Sequence, residues 1–197
     1  MKPILGISGS PRRGGNSDIL LHAIMQGAAD AGAETEELFL RDYQFQGCIG
    51  CERCRKDEEC TGLLDGMQLI YPKIRKAGGL VLISPIYSYS VTALTKALID
   101  RMYAFYHFDE QRPGPWHSRI GGQGHKSIIA VVGEQASAEE GGMELTMEVM
   151  RRSIVALGYE ITAELPVFGV FQKGKIKEQP QALENAKEAG RQLALQL

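Results

Sequence analysis

Residues 2–17 read KPILGISGSPRRGGNS. The apolar run Lys2–Ser8 predicts a buried strand, and the segment after it, rich in glycine, serine and proline, predicts a loop. A helix with apolar residues from Ile19 to Ile24 follows. A hydroxyl-rich loop that runs into a helix N-terminus is an anion site, because the helix dipole and the unpaired backbone N–H groups attract negative charge. In an open α/β sheet, ligands bind at such a point.

Strands and helices alternate along the rest of the chain. The predicted strands are Lys2–Ser8, Glu34–Leu40, Gly79–Tyr87, Lys126–Gly133 and Tyr159–Val170. The helices after the first are predicted from Asp65 to Ile74 and over Thr92–Phe105, Gly142–Gly158 and Gln179–Leu197. This alternation predicts an α/β fold with a doubly wound, five-stranded parallel sheet in a three-layer α/β/α sandwich. We expect a single domain over residues 1–197.

Two stretches interrupt the regular pattern. Pro72 falls inside the helix after Asp65, so that helix should kink or begin a new turn there. The segment Tyr106–Gly124 is too long for a simple connection, and we expect it to be a lid or an oligomer contact.

Composition narrows the function classes. The 197 residues carry a net charge of −2 and a pI near 6.1, which gives no electrostatic reason to expect nucleic acid or an anionic membrane as partner. No apolar run approaches the roughly 20 residues needed to span a bilayer. The chain begins with a strand pattern rather than a signal peptide. We therefore expect a cytoplasmic protein whose thiols are reduced.

Four cysteines are crowded into residues 48–60 with the spacing C-x2-C-x2-C-x5-C. They are Cys48, Cys51, Cys54 and Cys60. Four thiolates suit tetrahedral zinc or an iron–sulfur cluster. Zinc sites commonly pair two C-x2-C units across a long segment, whereas three cysteines in one compact run are more typical of 4Fe–4S ligation. Zinc and plain thiols remain the alternatives.

The loop after the first strand fits neither common nucleotide signature. No lysine follows its glycines as a P-loop requires, and the spacing from Gly6 to Gly9 does not match the dinucleotide fingerprint. Its hydroxyl groups suit a terminal phosphate monoester. The simpler alternative is a turn followed by a helix cap at Asn16 or Ser17.

Two separated motifs resemble the NADPH-dependent FMN reductase family of the flavodoxin-like superfamily. They are Gly9-Ser10-Pro11-Arg12 through Asn16-Ser17, and Ser84-Pro85-Ile86-Tyr87 followed by Lys96 and Ile99-Asp100-Arg101. The resemblance implies that the first motif holds the FMN phosphate and that the loop after the third strand borders the flavin ring. The implied cofactor-binding residues are Ser8, Ser10, Pro11, Arg12, Gly15, Asn16, Ser17, Pro85, Ile86, Tyr87, Ser88, Ser90 and Gly133. Family members often have an aromatic residue where this chain has Ser88. Three residues of the second motif, Lys96, Asp100 and Arg101, are spaced to pair along a helix surface.

The cysteine stretch, with Asp65-Gly66-Met67 behind it, resembles the iron–sulfur flavoproteins within this family. The resemblance implies an insertion at about residues 47–62 whose four cysteines hold a 4Fe–4S cluster. That cluster would exchange single electrons with FMN.

The sequence therefore predicts an FMN-dependent oxidoreductase of the iron–sulfur flavoprotein type, with the chemistry carried by the flavin and the cluster rather than by a catalytic side chain. The resemblance implies a ferredoxin-like carrier or NAD(P)H as electron source, a small-molecule acceptor, and a homodimer or homotetramer. One alternative is an NAD(P)H-dependent FMN or quinone reductase without a cluster. Another is a non-catalytic binding module stapled by zinc.

Overall fold

The computed structural model describes residues 2–197. Its strands are β1 (Ile4–Ser8), β2 (Thr35–Phe39), β3 (Gly79–Pro85), β4 (Tyr106–Phe108), β5 (Trp116–Ser118), β6 (Lys126–Val132) and β7 (Glu160–Val167). Its helices are α1 (Asn16–Asp30), α2 (Arg53–Asp57), α3 (Met67–Lys76), α4 (Ala93–Arg101), α5 (Met143–Ala156) and α6 (Pro180–Leu195). Five strands form one sheet in the order β2-β1-β3-β6-β7, and every neighbouring pair is parallel. The predicted flavodoxin-like α/β fold is confirmed.

The alternation of side chains along each strand separates two cores. In β1, Ile4 packs with α1 and α6 on one face of the sheet. Its neighbours Leu5 and Ile7 pack with α3 and α5 on the other face. Because both faces are covered, the central strands read as continuous apolar runs rather than alternating ones.

In the two stretches that interrupt the sequence pattern, the structure gives detail that the sequence did not. The segment Tyr106–Gly124 contains an antiparallel hairpin, in which His107 of β4 pairs with His117 of β5. Helix α3 continues through Pro72 to Lys76, so no separate helix begins at the proline. Packing of its apolar face onto the sheet outweighs the one backbone hydrogen bond that a proline removes.

The carboxyl ends of the central strands position the candidate site. From β1 the chain continues to β2 on one side of it and later to β3 on the other, and this divergence creates the crevice in which such sheets bind ligands. Ser8 at the end of β1 pairs with Ile83, and Pro85 at the end of β3 pairs with Val132 of β6. Within residues 2–197, no helix is long and apolar enough to cross a membrane.

Candidate functional site

The first turn of α1 lacks a side-chain cap. Gly15 occupies the capping position with an extended backbone, the helix starts at Asn16, and no side chain of the described residues accepts a hydrogen bond from its first turn as a cap. The alternative of a cap at Asn16 or Ser17 is therefore wrong. The N–H groups of this turn remain free for an external acceptor, which together with the helix dipole makes an anion site.

An ion pair beneath the loop holds its shape. The Asp18 carboxylate accepts hydrogen bonds from the Ser8 hydroxyl at 2.9 Å and from the Gly14 N–H at 2.8 Å. Arg41 donates to both carboxylate oxygens, at 3.0 and 2.8 Å, and to the Ser10 carbonyl at 3.1 Å. Sequence reasoning did not find this pair, because Arg41 lies beyond β2 and no motif links it to the loop. The loop is thus fixed from behind by charged groups.

A cleft opens where the three central strands end. The predicted residues that line it are Ser10, Arg12, Asn16, Ser17, Pro85, Ile86, Tyr87 and Gly133. The lining residues that were not predicted are Val132, Glu134, Gln135, Val170 and Phe171. Residues from both motifs therefore meet at one place, as the topology requires.

The other predicted cofactor residues, Ser8, Pro11, Gly15, Ser88 and Ser90, lie around this cleft rather than in its lining. Ser8 is buried behind the loop and Pro11 is exposed. Ser88 lies in a tight turn, with φ 46° there and 66° at the next residue, and Ser90 closes that turn. Left-handed backbone at non-glycine residues is strained and is common at ligand sites.

Two of the predicted phosphate ligands use their side chains to hold the far wall. Asn16 donates to the Gln172 carbonyl at 3.0 Å and accepts from the Ile176 N–H at 3.2 Å. Arg12 donates to the Phe171 carbonyl at 2.9 Å, and its guanidinium lies 5.0 Å from the centre of the Phe171 ring. The residues after β7 are thereby anchored to the loop between β1 and α1.

A buried acceptor in the cleft has no partner. The Oε1 atom of Gln135 makes no hydrogen bond within residues 2–197. A β-carbon at position 133 would overlap this Oε1 atom. Only glycine therefore fits at position 133. Buried polar groups are normally paired, so a lone acceptor in a cleft suits a ligand that carries an N–H donor.

The four cysteines line a second cavity of about 370 Å³. Cys48 and Cys51 are exposed, whereas Cys54 and Cys60 are half-buried, and all four are free thiols. Within the described chain, no three histidine, cysteine, aspartate or glutamate side chains are arranged to hold a metal ion. The thiols therefore share one cavity without converging on one point.

The chemistry around the thiols supports a common site. Burial raises the pKa of Cys54 above its ordinary value, and the nearby thiols of Cys60, Cys48 and Cys51 raise it further. Such mutual repulsion is what a cation placed among the thiolates would relieve. Gly62 lies so close to the Cys51 sulfur that a β-carbon there would overlap it.

Helix α2 in this segment is bracketed by strained residues. Glu52 before it and Glu58 after it both adopt left-handed backbone, with φ 57° and 58°. Arg112 reaches across from the hairpin and pairs with Glu52, with one contact of 3.0 Å. The hairpin thus supports the segment from outside.

Arg101 forms part of the wall of the cysteine cavity. Its predicted position on a helix surface is wrong, because its side chain is only 1% exposed and it donates to both oxygens of Asp65, at 2.7 and 3.0 Å. Lys96 and Asp100 do pair on the surface of α4. Asp65 also accepts from the N–H of Met67 at 3.1 Å, although the capping position of α3 is Gly66.

Comparison with known proteins places the chain in a family. The family model of NADPH-dependent FMN reductases matches residues 2–158. An iron–sulfur flavoprotein of Methanocaldococcus jannaschii is 32% identical over 198 residues, covering 97% of this chain and 95% of that protein. The iron–sulfur flavoprotein of Methanosarcina thermophila is 38% identical over 98 residues, or 50% of this chain and 51% of that one.

A solved structure extends the likeness of the fold. The NAD(P)H:quinone oxidoreductase from Methanothermobacter marburgensis superposes with a TM-score of 0.73 at 21% identity, covering 98% of each chain.

The chain belongs to the NADPH-dependent FMN reductase family and, within it, to the iron–sulfur flavoproteins. It is therefore an FMN-dependent oxidoreductase. This confirms the resemblance carried by the phosphate loop and by the cysteine spacing. It also excludes a non-catalytic binding module.

Proposed function

We propose that the chain forms one FMN-binding domain in which Cys48, Cys51, Cys54 and Cys60 hold a 4Fe–4S cluster that exchanges single electrons with the flavin. The observation that carries this proposal is the shared cavity: four thiols from a compact C-x2-C-x2-C-x5-C run line the same space. An all-thiolate donor set is the set that iron–sulfur clusters use. The names of the iron–sulfur flavoprotein relatives support the same reading.

The phosphate of FMN would bind at the uncapped start of α1. The N–H groups of the first turn and the hydroxyls of Ser10 and Ser17 are the donors there, and the ion pair of Asp18 with Arg41 keeps the loop in place. A phosphate monoester matches such a set because its oxygens are strong acceptors.

The flavin ring would lie toward the ends of β3 and β6. The cleft measures about 100 Å³, which is below the roughly 300–1,000 Å³ of most ligand pockets, so the ring would extend over the exposed turn at Tyr87 and Tyr89. Gln135 Oε1 would accept from a ring N–H and so gain the partner that it lacks. When bound, FMN supplies the ability to take up a hydride and to release electrons singly.

The electron source that we propose is a ferredoxin-like carrier or NAD(P)H, with a small molecule as acceptor. The family name supports NADPH as a reductant. We also propose a homodimer or homotetramer, in which the exposed aromatic residue Trp116 of the hairpin offers a contact surface.

The second candidate is an NAD(P)H-dependent FMN or quinone reductase without a cluster. The unconverged thiols favour it, because a site of this kind would need rearrangement before it could bind a metal.

Anaerobic purification followed by a visible spectrum and by iron and acid-labile sulfide assays separates the two candidates. We expect flavin bands, a broad absorption that reductant bleaches, and about four irons and four sulfides per chain. Stoichiometric zinc, or flavin without iron after anaerobic reconstitution, would contradict the cluster. Reduction of the flavin by NADPH alone, compared with reduction by reduced ferredoxin, would then identify the donor.

A further inference from the structure

A fixed positive charge borders the cysteine cavity. Arg101 lines this cavity and is almost completely buried. Burial by itself would lower the pKa of Arg101, but its hydrogen bonds with Asp65 and Tyr71 outweigh burial and raise that pKa. The guanidinium is therefore charged at every pH at which the protein is folded.

Asp65, the counter-ion of Arg101, is not part of the lining of the cysteine cavity. Asp65 lines a separate groove together with Tyr43 and Gln46. The third guanidinium nitrogen, Nε, donates to the Tyr71 hydroxyl at 3.2 Å. Of this ion pair, only Arg101 lines the cysteine cavity, whose other charged lining residues, Glu52 and Asp100, are paired with cations of their own.

We propose that Arg101 is a positioning residue whose positive charge makes one-electron reduction of the cluster more favourable. This inference rests on the proposed function, because it requires a cluster on the four cysteines. In the step concerned, a cluster held by the four cysteines would accept one electron from a ferredoxin-like donor, no bond would form or break, and Arg101 would keep its proton. The added negative charge is stabilised by a nearby cation, and more strongly where burial limits screening by water.

Arg101 also has a structural role that a test must separate from this one. Its Nη1 donates to the Gln46 carbonyl at 3.0 Å, and Asp65 accepts from the Gln46 N–H at 3.3 Å. Both side chains therefore tie down the segment that leads into the cysteines. If they did only that, changes at either one would reduce cluster content in the same way.

Opposite charge changes provide the discrimination. Arg101→Gln removes the positive end of the pair, whereas Asp65→Asn removes the negative end and leaves the guanidinium uncompensated. Arg101→Lys keeps the charge and loses the planar fork. The matched control is Arg112→Gln, which also breaks an ion pair beside the cysteines, but one whose side chains are about half exposed.

The experiment uses the full chain, reconstituted anaerobically with iron and sulfide, and measures the midpoint potential of the cluster by titration with dithionite. For Arg101→Gln we expect the equilibrium constant for one-electron reduction to fall about tenfold or more, which is a drop of about 59 mV. Asp65→Asn should raise the potential, and Arg101→Lys should stay near the parent value. Arg112→Gln should shift it far less, because exposed charges are screened. The FMN couple in the same molecules serves as an internal reference.

The outcomes distinguish the two proposals. If iron and sulfide are complete but the potentials of Arg101→Gln and Asp65→Asn do not move, or move in the same direction, the inference fails and the proposed function stands. A parent protein that takes up no iron overturns both. If Arg101→Gln cannot hold a cluster, Arg101→Lys and Asp65→Asn decide: a fall in potential in Asp65→Asn, or a large shift in Arg101→Lys, overturns the inference.

Discussion

The cleft at the ends of the central strands and the cysteine cavity lie in one chain but are held in shape by different parts of the structure. The cleft is made by the ends of β1, β3 and β6 and by free N–H groups at the start of α1. The sheet register fixes these groups, so folding alone creates the site. The cysteine cavity is made by side chains on an irregular segment, and its thiols do not converge. If the proposed cluster binds there, its binding would have to supply the free energy that gathers the thiolates.

The largest expected effect tests whether the two sites are independent. Cys54→Ser removes one of the four thiols, and we expect complete loss of the cluster while the affinity for FMN changes by less than about twofold. The physical reason is that one missing thiolate leaves the cluster without a full ligand set. Iron and sulfide assays, with a fluorescence titration of FMN, measure both quantities.

Thr61→Ala is the matched control for that variant, because Thr61 lies in the same segment and, among residues 2–197, its side chain hydrogen-bonds only to Asp57. It should keep the cluster. Loss of FMN binding in Cys54→Ser would contradict the independence of the two sites, since it would mean that FMN binding in the cleft depends on the cysteine cavity.

The second prediction addresses the ion pair beneath the phosphate loop. Asp18→Asn leaves Arg41 without its carboxylate at a place where the two side chains are only 10% and 11% exposed. Breaking a buried pair on one side costs about 3 kcal/mol or more. We expect the free energy of unfolding of the apoprotein, measured in urea, to fall by roughly that amount, with weaker FMN binding and unchanged iron content.

Glu188→Gln, which breaks a surface pair with Arg191 on α6, is the control and should leave stability nearly unchanged. Full stability in Asp18→Asn would show that the loop does not depend on this pair.

The sequence could predict the backbone-built site better than its supports. The serine- and glycine-rich loop can be recognised from the sequence, because its residue types and its position after a strand are local signals. Asp18 and Arg41 were missed because their contact depends on how β2 returns beside β1. Arg101 was misplaced for a similar reason: its spacing from Lys96 and Asp100 suits a helix surface, but the segment around Gln46 folds over it.

The hairpin shows a different limit. Its strands have only three residues each, and the long stretch between Phe108 and Trp116 hides their pairing. The alternation in Tyr106-His107-Phe108 was the available signal. Gln135 had none, because a single glutamine in a loop carries no pattern.

The third prediction concerns Gln135 and distinguishes a ligand acceptor from a packing residue. Gln135→Met keeps the shape of the side chain and removes the unpaired Oε1. One lost hydrogen bond corresponds to about 1 kcal/mol, so we expect FMN to bind several-fold to tenfold more weakly. The apoprotein should be as stable as the parent or more stable, because a buried unpaired group is gone.

An FMN titration measures the expected loss of affinity, and a thermal melt of the apoprotein measures the expected equal or higher stability. The control is Gln192→Met, at an exposed position on α6. Unchanged affinity for FMN would remove Gln135 from the site.

The smallest expected effect concerns His125, which lies just before β6, at the end of the strands opposite both sites. His125 is buried before β6, its ring lies 4.9 Å from that of Tyr159, and Lys2 Nζ lies 3.2 Å from its Nε2. Burial, and then the charge of Lys2, lower the pKa of His125 below its ordinary 6.5. The unfolded chain therefore takes up a proton first as the pH falls, so the stability that the neutral ring provides is present above about pH 6.5 and is lost below it. His125→Phe should reduce this acid sensitivity in thermal melts at pH 7.5 and 5.5, whereas the exposed His22→Gln should not. Because His125 supports the fold rather than either site, His125→Phe should leave the flavin and iron contents at pH 7.5 unchanged, and loss of either one at that pH would show that His125 supports that site.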